Sequence, residues 1–352
     1  MFSSLPFGYM FLSVMGIGTL LSVSSIHWLS VWAGLEINLI GFLPMLVYQK
    51  SVSESQSAVK YFIIQALGSS MLIFGSLILF NLSFSWDMFI QIFNFNSLGF
   101  IVLMSGLCIK LGLFPFHYWL PGVMAGLPWM SCLMLATWQK FAPLFLVLCL
   151  LELNKSYSMA VIICMISAGS TLVGGIGGMN QTQIRALLAY SSIGHLGWMS
   201  FASLHSEWGM KVYLMIYVII SVALFTGLWW SDSGSMKNIN NLKNVGLMQL
   251  SVMLLFLSLA GLPPLLGFVS KWLVIVTSIG SPWMLVVFPL IVGSLMSLFY
   301  YLSLFFSIFL GSLKKYSFNI APNSENIIMV IINVLNIIGG VMILMAGMLF
   351  AA

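Results

Sequence analysis

Long apolar runs alternate along this chain with short polar or turn-forming segments. A helix crossing a hydrocarbon core of roughly 30 Å needs about 20 mostly apolar residues. On that criterion eleven spans are predicted, at residues 7–25, 27–48, 58–81, 97–119, 128–150, 157–178, 183–204, 210–230, 247–279, 283–310 and 326–350. Only Ser24, Ser25 and His27 mark a turn between the first two, and the ninth is overlong and interrupted by Gly261, Leu262, Pro263 and Pro264. Proline removes an N–H and collides with the carbonyl one turn back, so the ninth is predicted to be a broken helix. The pattern gives an all-α polytopic membrane protein with about 11 transmembrane helices.

Composition agrees. The 352 residues are 61% hydrophobic and 5% charged, against about 25% charged in an ordinary globular domain. Twelve Lys plus Arg and seven Asp plus Glu cannot cover a soluble particle of this size, so a soluble fold is excluded. The net charge of +5 would suggest nucleic acid for a soluble protein, but in a membrane chain loop lysines fix topology, and no nucleic-acid partner is expected.

An odd number of spans places the termini on opposite faces. The N-terminal side carries Lys50, Lys60, Arg185, Lys237, Lys243, Lys314 and Lys315, and the other side only Lys155 and Lys211. Acidic residues divide evenly, Glu54, Asp232 and Glu325 against Asp87, Glu152 and Glu207, as expected when basic residues alone govern orientation. The N-terminus is therefore predicted to face the negative compartment. The opening segment has no cationic stretch before Phe7 and no Arg-rich amphipathic character, so it reads as a membrane span rather than a presequence or signal.

Cys108, Cys132, Cys149 and Cys164 fall inside spans without a CxxC pair and read as small core hydrophobes. His27, His117, His195 and His205 are scattered, which gives a metal centre no support. The run Gly174, Gly175, Ile176, Gly177, Gly178 does not complete G-x-G-x-x-G and has no strand before it, so close helix packing explains it better than a nucleotide. No redox cofactor is expected on this chain.

Four charges lie within spans: Glu36, Lys110, Lys140 and Lys271. Glu36 lies about 13 Å into its span, and Lys110 and Lys140 are central, too deep to snorkel out. Insertion costs about 2.5 to 3.5 kcal/mol per such group, on the order of 10 kcal/mol for four. One reading is a structural salt bridge pinning two helices. With three lysines to one carboxylate, however, at least two lysines must be neutral, hydrated or paired with another subunit. Desolvation favours the neutral form of a lysine and a nearby carboxylate the charged form, so moving the carboxylate by a few ångströms switches a buried lysine between holding and releasing a proton. Arginine does not deprotonate, and the sole arginine, Arg185, sits at a span edge.

Two lysines adjoin predicted helix breaks. Lys110 is followed by Leu111, Gly112, Leu113, Phe114, Pro115, Phe116 and His117, while Gly261, Leu262, Pro263 and Pro264 precede Gly267 and Lys271. Unwound backbone at membrane depth is tolerated only where it is buried or lines a wet cavity. The breaks fall in the fourth and ninth spans, and that odd offset of five is the pattern of an inverted-repeat transporter. Proline kinks that merely shape packing are the alternative.

The strings W-A-G-L-E-I-N-L (Trp32 to Leu39), K-L-G-L-F-P-F-H-Y-W-L-P (Lys110 to Pro121), T-W-Q-K-F-A-P (Thr137 to Pro143), N-Q-T-Q-I-R (Asn180 to Arg185), A-Y-S-S-I-G-H-L-G-W-M (Ala189 to Met199) and G-F-V-S-K-W (Gly267 to Trp272) resemble the subunit 2 family of respiratory complex I, NADH:ubiquinone oxidoreductase, in its mitochondrially encoded animal form. This is an antiporter-like proton-pumping family. The resemblance implies two inverted five-helix repeats, residues 1–155 and 156–312, followed by a final transmembrane helix in 313–352. It implies that Glu36 and Lys110 form the charged pair of a first half-channel, that Lys140 is the connecting central lysine and that Lys271 serves a second half-channel. His195 and His117 match family histidines near this axis, with proton relay and a hydrogen-bonded structural role both open. Many relatives have an acid where Gly122 stands and a lysine where Ala186 stands.

The same resemblance implies proton translocation across the mitochondrial inner membrane, coupled to NADH oxidation and ubiquinone reduction elsewhere. FMN, iron-sulfur clusters, NADH and ubiquinone would belong to other subunits, and no cofactor to this chain. The N-terminus would face the matrix and the C-terminus the intermembrane space. Implied partners are complex I subunits 4 and 4L, supernumerary subunits and phospholipid including cardiolipin. The competing readings are a structural membrane-arm subunit without its own proton flux and a stand-alone cation/proton antiporter.

Overall fold

A computed structural model describes residues 8–47, 51–83, 85–88, 97–153, 156–231, 246–313, 333–334 and 336–341. The markers Lys50, Lys155, Asp232, Lys237, Lys243, Lys314, Lys315 and Glu325, and most of the predicted span at 326–350, lie outside the described residues.

Among the described residues the fold is helical, without a named strand. The helices are α1 (Gly8–Ser24), α2 (Trp28–Leu46), α3 (Val52–Ser83), α4 (Ser97–Leu111), α5 (Trp119–Gly126), α6 (Trp129–Ala136), α7 (Trp138–Leu153), α8 (Tyr157–Met179), α9 (Ile184–His205), α10 (Glu207–Ser231), α11 (Gly246–Ala260), α12 (Leu266–Ser278) and α13 (Val287–Leu313). Among the described residues six stretches are long and apolar enough to cross a membrane: Trp28–Leu46, Val52–Asn81, Trp129–Leu153, Tyr157–Met179, Glu207–Trp230 and Met284–Leu310. Gly8–Ser24, Leu98–Leu111, Gln249–Ala260 and Leu266–Ser278 are shorter apolar helices. The predicted span at 183–204 is a helix, but most of α9 is buried in protein, including Ser191, Ser192, His195 and Ser200. A helix enclosed by neighbours can carry polar groups that a lipid-facing helix cannot.

The chain divides into two compact units, Met1–Ile166 and Ser167–Ala352. In the first, α1 packs along α2, α3 along α4, and α7 against α1, α4 and α6. α1 and α2 approach so closely that a Cβ on Gly18 would lie 2.6 Å from the Asn38 nitrogen, and one on Gly34 2.6 Å from the Ser22 nitrogen. Small residues permit this contact, and packing rather than hydrophobicity holds helices together in lipid. Trp28 N–H donates to Trp86 O and Met88 N–H to Ile26 O, both at 3.0 Å, which joins the α1–α2 turn to the segment after α3.

In the second unit, α10 packs on α9, α11 and α12, and α13 packs on α11 and α9. The glycine run ends α8 in close helix contacts: a Cβ on Gly174 would lie 2.7 Å from the Gly194 nitrogen, and one on Gly175 2.7 Å from the Gly293 oxygen.

Three predicted boundaries need correction. The third span begins at Val52 rather than residue 58, with the Ser51 hydroxyl accepting from Glu54 N–H at 3.2 Å as an N-terminal cap. The fourth breaks after Leu111, as expected beside Gly112 and Pro115, but helix resumes as α5 and runs to Gly126 rather than ending at 119. The fifth is interrupted at Thr137, between α6 and α7. Thr137 Oγ1 donates back to Leu133 O at 2.7 Å, a bond that bends helices, and Pro143 in α7 has no N–H to donate.

Candidate functional site

The two breaks share a backbone plan. Gly112 has φ +76° and Gly261 φ +83°, in the left-handed region that a Cβ disfavours. Gly112 and Leu113 N–H both donate to Cys108 O, and Gly261 and Leu262 N–H both donate to Leu257 O. A proline follows each, with cis bonds at Phe114–Pro115 and Pro263–Pro264. Breaking a helix orphans its last carbonyls, which need other donors. At the first break Trp119 Nε1 donates to Ile109 O at 3.1 Å and Gln65 Nε2 to Lys110 O at 3.3 Å. At the second, Lys271 Nζ donates to Ala260 O at 2.7 Å.

In the first unit the structure brings three of the predicted residues together. Lys110 Nζ lies 3.6 Å from Glu36 Oε1, the lysine side chain 3% and the glutamate 25% exposed. Lys110 and Lys140 line one cavity of about 20 Å³ between α2, α3, α4, α5, α6 and α7. That volume is large enough for a water molecule, and Asn38, Tyr61, Gln65 and Gln139 give its wall polar partners. Asn38 Nδ2 donates to Gln139 Oε1 at 2.8 Å and Gln139 Nε2 returns a bond to Asn38 Oδ1 at 3.2 Å, tying the helix of Glu36 to the helix of Lys140.

In the second unit His195 and Lys271 line a smaller cavity of about 10 Å³ with Thr171, Ser191, Ser294 and Ser297. His195 Nδ1 is 2.9 Å from Tyr213 Oη, and the imidazole lies against the Tyr217 ring with centroids 5.2 Å apart. His117 lines neither of these cavities. It sits in the first break, Nδ1 3.1 Å from Pro115 O and its ring between Phe114 and Tyr118.

Lys110, Lys140 and Lys271 are all buried. An enclosed ammonium next to a carboxylate and a small polar cavity can exchange protons with water, chemistry that requires no metal or redox group. Cys108, Cys132 and Cys164 are buried and Cys149 half-buried. Among the described residues no cluster of three His, Cys, Asp or Glu side chains is placed to hold a metal.

The site residues missed in the sequence are uncharged: the amides Asn38, Gln65 and Gln139 at the first cavity, and Tyr213 beside His195. Counting only full charges within spans passes over them. A carboxamide in an apolar span signals that a buried partner is needed, but not which partner or cavity, and Tyr213 carries no such signal.

Residues 25–297 match the family described as NADH:quinone oxidoreductase/Mrp antiporter, TM. NADH-ubiquinone oxidoreductase chain 2 of Anopheles gambiae is 38% identical over 346 residues, covering 95% of this chain and 96% of that one. Chain 2 of Lumbricus terrestris is 37% identical over 299 residues, covering 84% and 85%. Among solved structures, a chain of respiratory complex I from Thermus thermophilus with bound aureothin has a TM-score of 0.81 at 26% identity, covering 95% of this chain and 77% of that one. A chain of the archaeal membrane-bound sulfane sulfur reductase has a TM-score of 0.84 at 18% identity, covering 96% and 74%, a likeness of fold.

Proposed function

Because this chain belongs to the NADH-ubiquinone oxidoreductase chain 2 family, within the broader NADH:quinone oxidoreductase/Mrp antiporter family, we propose that it is a core membrane subunit of respiratory complex I that moves protons through its own buried Glu and Lys residues. The observation that carries this reading is the first cavity: two buried lysines share one polar space, and one of them faces a carboxylate.

In this mechanism a proton enters from the matrix side. Lys110 and Lys140 handle it in the first unit, and His195 and Lys271 in the second. The 3.6 Å separation of Glu36 and Lys110 is an ion pair too long for a strong hydrogen bond, which suits a contact that opens and closes. Opening deprives Lys110 of its counter-ion, and closing restores it. Moving one charge against the membrane potential takes about 2.3 kcal/mol per 100 mV, within reach of such changes in pairing. His117, enclosed by the break's own backbone and rings, shapes that break rather than carrying protons.

NADH oxidation and ubiquinone reduction, with FMN and iron-sulfur clusters, belong to other subunits of the translocase. The chain lies in the mitochondrial inner membrane with its N-terminus toward the matrix, beside subunits 4 and 4L, supernumerary subunits and cardiolipin-containing lipid. Residues 1–155 and 156–312 form the two inverted repeats, with the closing helix in 313–352. A scaffold role has one specific observation in its favour: Lys271 is engaged with Ala260 O, a structural bond at the break.

The test is a Lys110→Met variant at the aligned position of a relative open to mutagenesis, purified as an intact complex. Proton translocation is expected to fall while the complex still assembles with its flavin and iron-sulfur subunits. Undiminished pumping would favour the scaffold.

A further inference from the structure

Two atoms on α2 are buried without a hydrogen-bond partner among the described residues: the Trp32 Nε1 donor and the Glu36 Oε1 acceptor. Orphaned polar groups of this kind are rare in folded proteins and call for an explanation. Trp32 and Glu36 are four residues apart on one helix, and side chains at that spacing meet across one turn. Helical side chains also lean toward the N-terminus, which carries the Glu36 carboxylate toward the level of Trp32.

We propose that the Trp32 indole N–H is the second partner of Glu36, so that the carboxylate exchanges between Lys110 and Trp32. This rests on the proton-handling role given above to the Glu36–Lys110 pair. Glu36 is the member free to move, its side chain 25% exposed against 3% for Lys110. In the structure its oxygen stands 3.6 Å from the ammonium, outside ordinary hydrogen-bond range. A change of Glu36 rotamer pairs both orphaned atoms at once. Because the indole N–H is neutral, the exchange gives the carboxylate oxygen a hydrogen bond while removing the counter-ion from Lys110. Trp32 is a positioning residue, acting on Lys110 through Glu36. Lys110 on α4 and Tyr61 on α3 act on the carboxylate, Lys140 on α7 lines the adjoining cavity, and α1 carries no charged side chain.

The experiment uses the assembled complex of a tractable relative in proteoliposomes, with Trp32→Phe, Glu36→Gln and the double variant. The readouts are coupled NADH oxidation, protons moved per NADH and their pH profile. Trp32→Phe keeps the ring and deletes the donor. Coupled turnover is expected to fall at least about threefold with a displaced pH profile, and the double variant is expected to be no slower than Glu36→Gln alone. Wild-type rate and pH profile in Trp32→Phe, or defects that multiply in the double variant, would overturn the exchange. Should Trp32→Phe fail to assemble, a high-resolution structure of the wild-type complex during turnover decides. Glu36 within about 3.2 Å of the indole nitrogen in part of the population supports the exchange, and Glu36 found only toward Lys110 overturns it. Normal pumping by Glu36→Gln would instead remove the proton-handling role itself, whereas a defective Glu36→Gln beside a normal Trp32→Phe removes only the exchange.

Discussion

Lys271 Nζ caps the helix break eleven residues behind it, donating to the carbonyl oxygen of Ala260 at 2.7 Å. A cation at a helix C-terminus satisfies an orphaned carbonyl and complements the helix dipole. At the other break the corresponding work falls to neutral groups, Trp119 and Gln65, which leaves the Lys110 ammonium to face Glu36. Two breaks of one backbone plan thus use their lysines differently.

Gly261 is the position at which this arrangement is most exposed to mutation. Its φ of +83° disfavours any Cβ, and a Cβ there would lie 2.9 Å from Lys271 Nζ. Gly261→Ala is expected to lose about 1–2 kcal/mol from backbone conformation and to dislodge Lys271. Gly122→Ala is the control, since nothing lies within 4 Å of its Cβ position. Thermal stability and proton translocation of the two assembled variants should separate, and identical behaviour would contradict the close packing of Lys271 on Gly261.

The Asn38–Gln139 pair is expected to act as a unit. Gln139→Leu leaves the buried Asn38 amide without its partner, at about 1–3 kcal/mol, whereas Asn38→Leu leaves a half-buried Gln139 that keeps its contact with Met15 Sδ and costs less. Replacing both should cost less than the sum, with a coupling of about 0.5–3 kcal/mol in a double-mutant cycle. Denaturation midpoints of the four proteins test this, and strict additivity would rule the pair out as a clamp between α2 and α7.

His27 and Asp87 form a contrasting pair, their atoms 2.6 Å apart but their side chains 62% and 42% exposed. Exposed ion pairs are screened by solvent and salt, so Asp87→Ala is expected to change stability by less than about 1 kcal/mol and proton transfer not at all. A large loss in coupled activity would show that this surface bridge matters more than its exposure implies.

Helical character and the two proline breaks were legible in the sequence because both follow from local chemistry: the length of apolar runs, and a missing N–H beside a permissive glycine. The break at Thr137 has signals that are equally local, a threonine hydroxyl able to bond back one turn and a proline six residues on, but neither shortens the apolar run by which a span is read. The extension of α3 back to Val52 was hidden because residues 52–57 are polar, and apolar length says nothing about where a helix continues past the lipid. At the site, full charges stand out in a chain with so few. The amides Asn38, Gln65 and Gln139 become meaningful only once three-dimensional packing sets them around one cavity. Likewise the orphaned atoms of Trp32 and Glu36 are properties of the folded state alone.

Lys140 bears most directly on the central claim, because it lines the first cavity with Lys110 and adjoins the amide clamp. The decisive measurement is the number of protons translocated per NADH oxidised by an intact complex carrying Lys140→Met at the aligned position. If the buried lysines carry protons, that number falls below wild type while assembly and the electron-transfer subunits stay intact. Full stoichiometric pumping by a correctly assembled Lys140→Met complex would contradict the account.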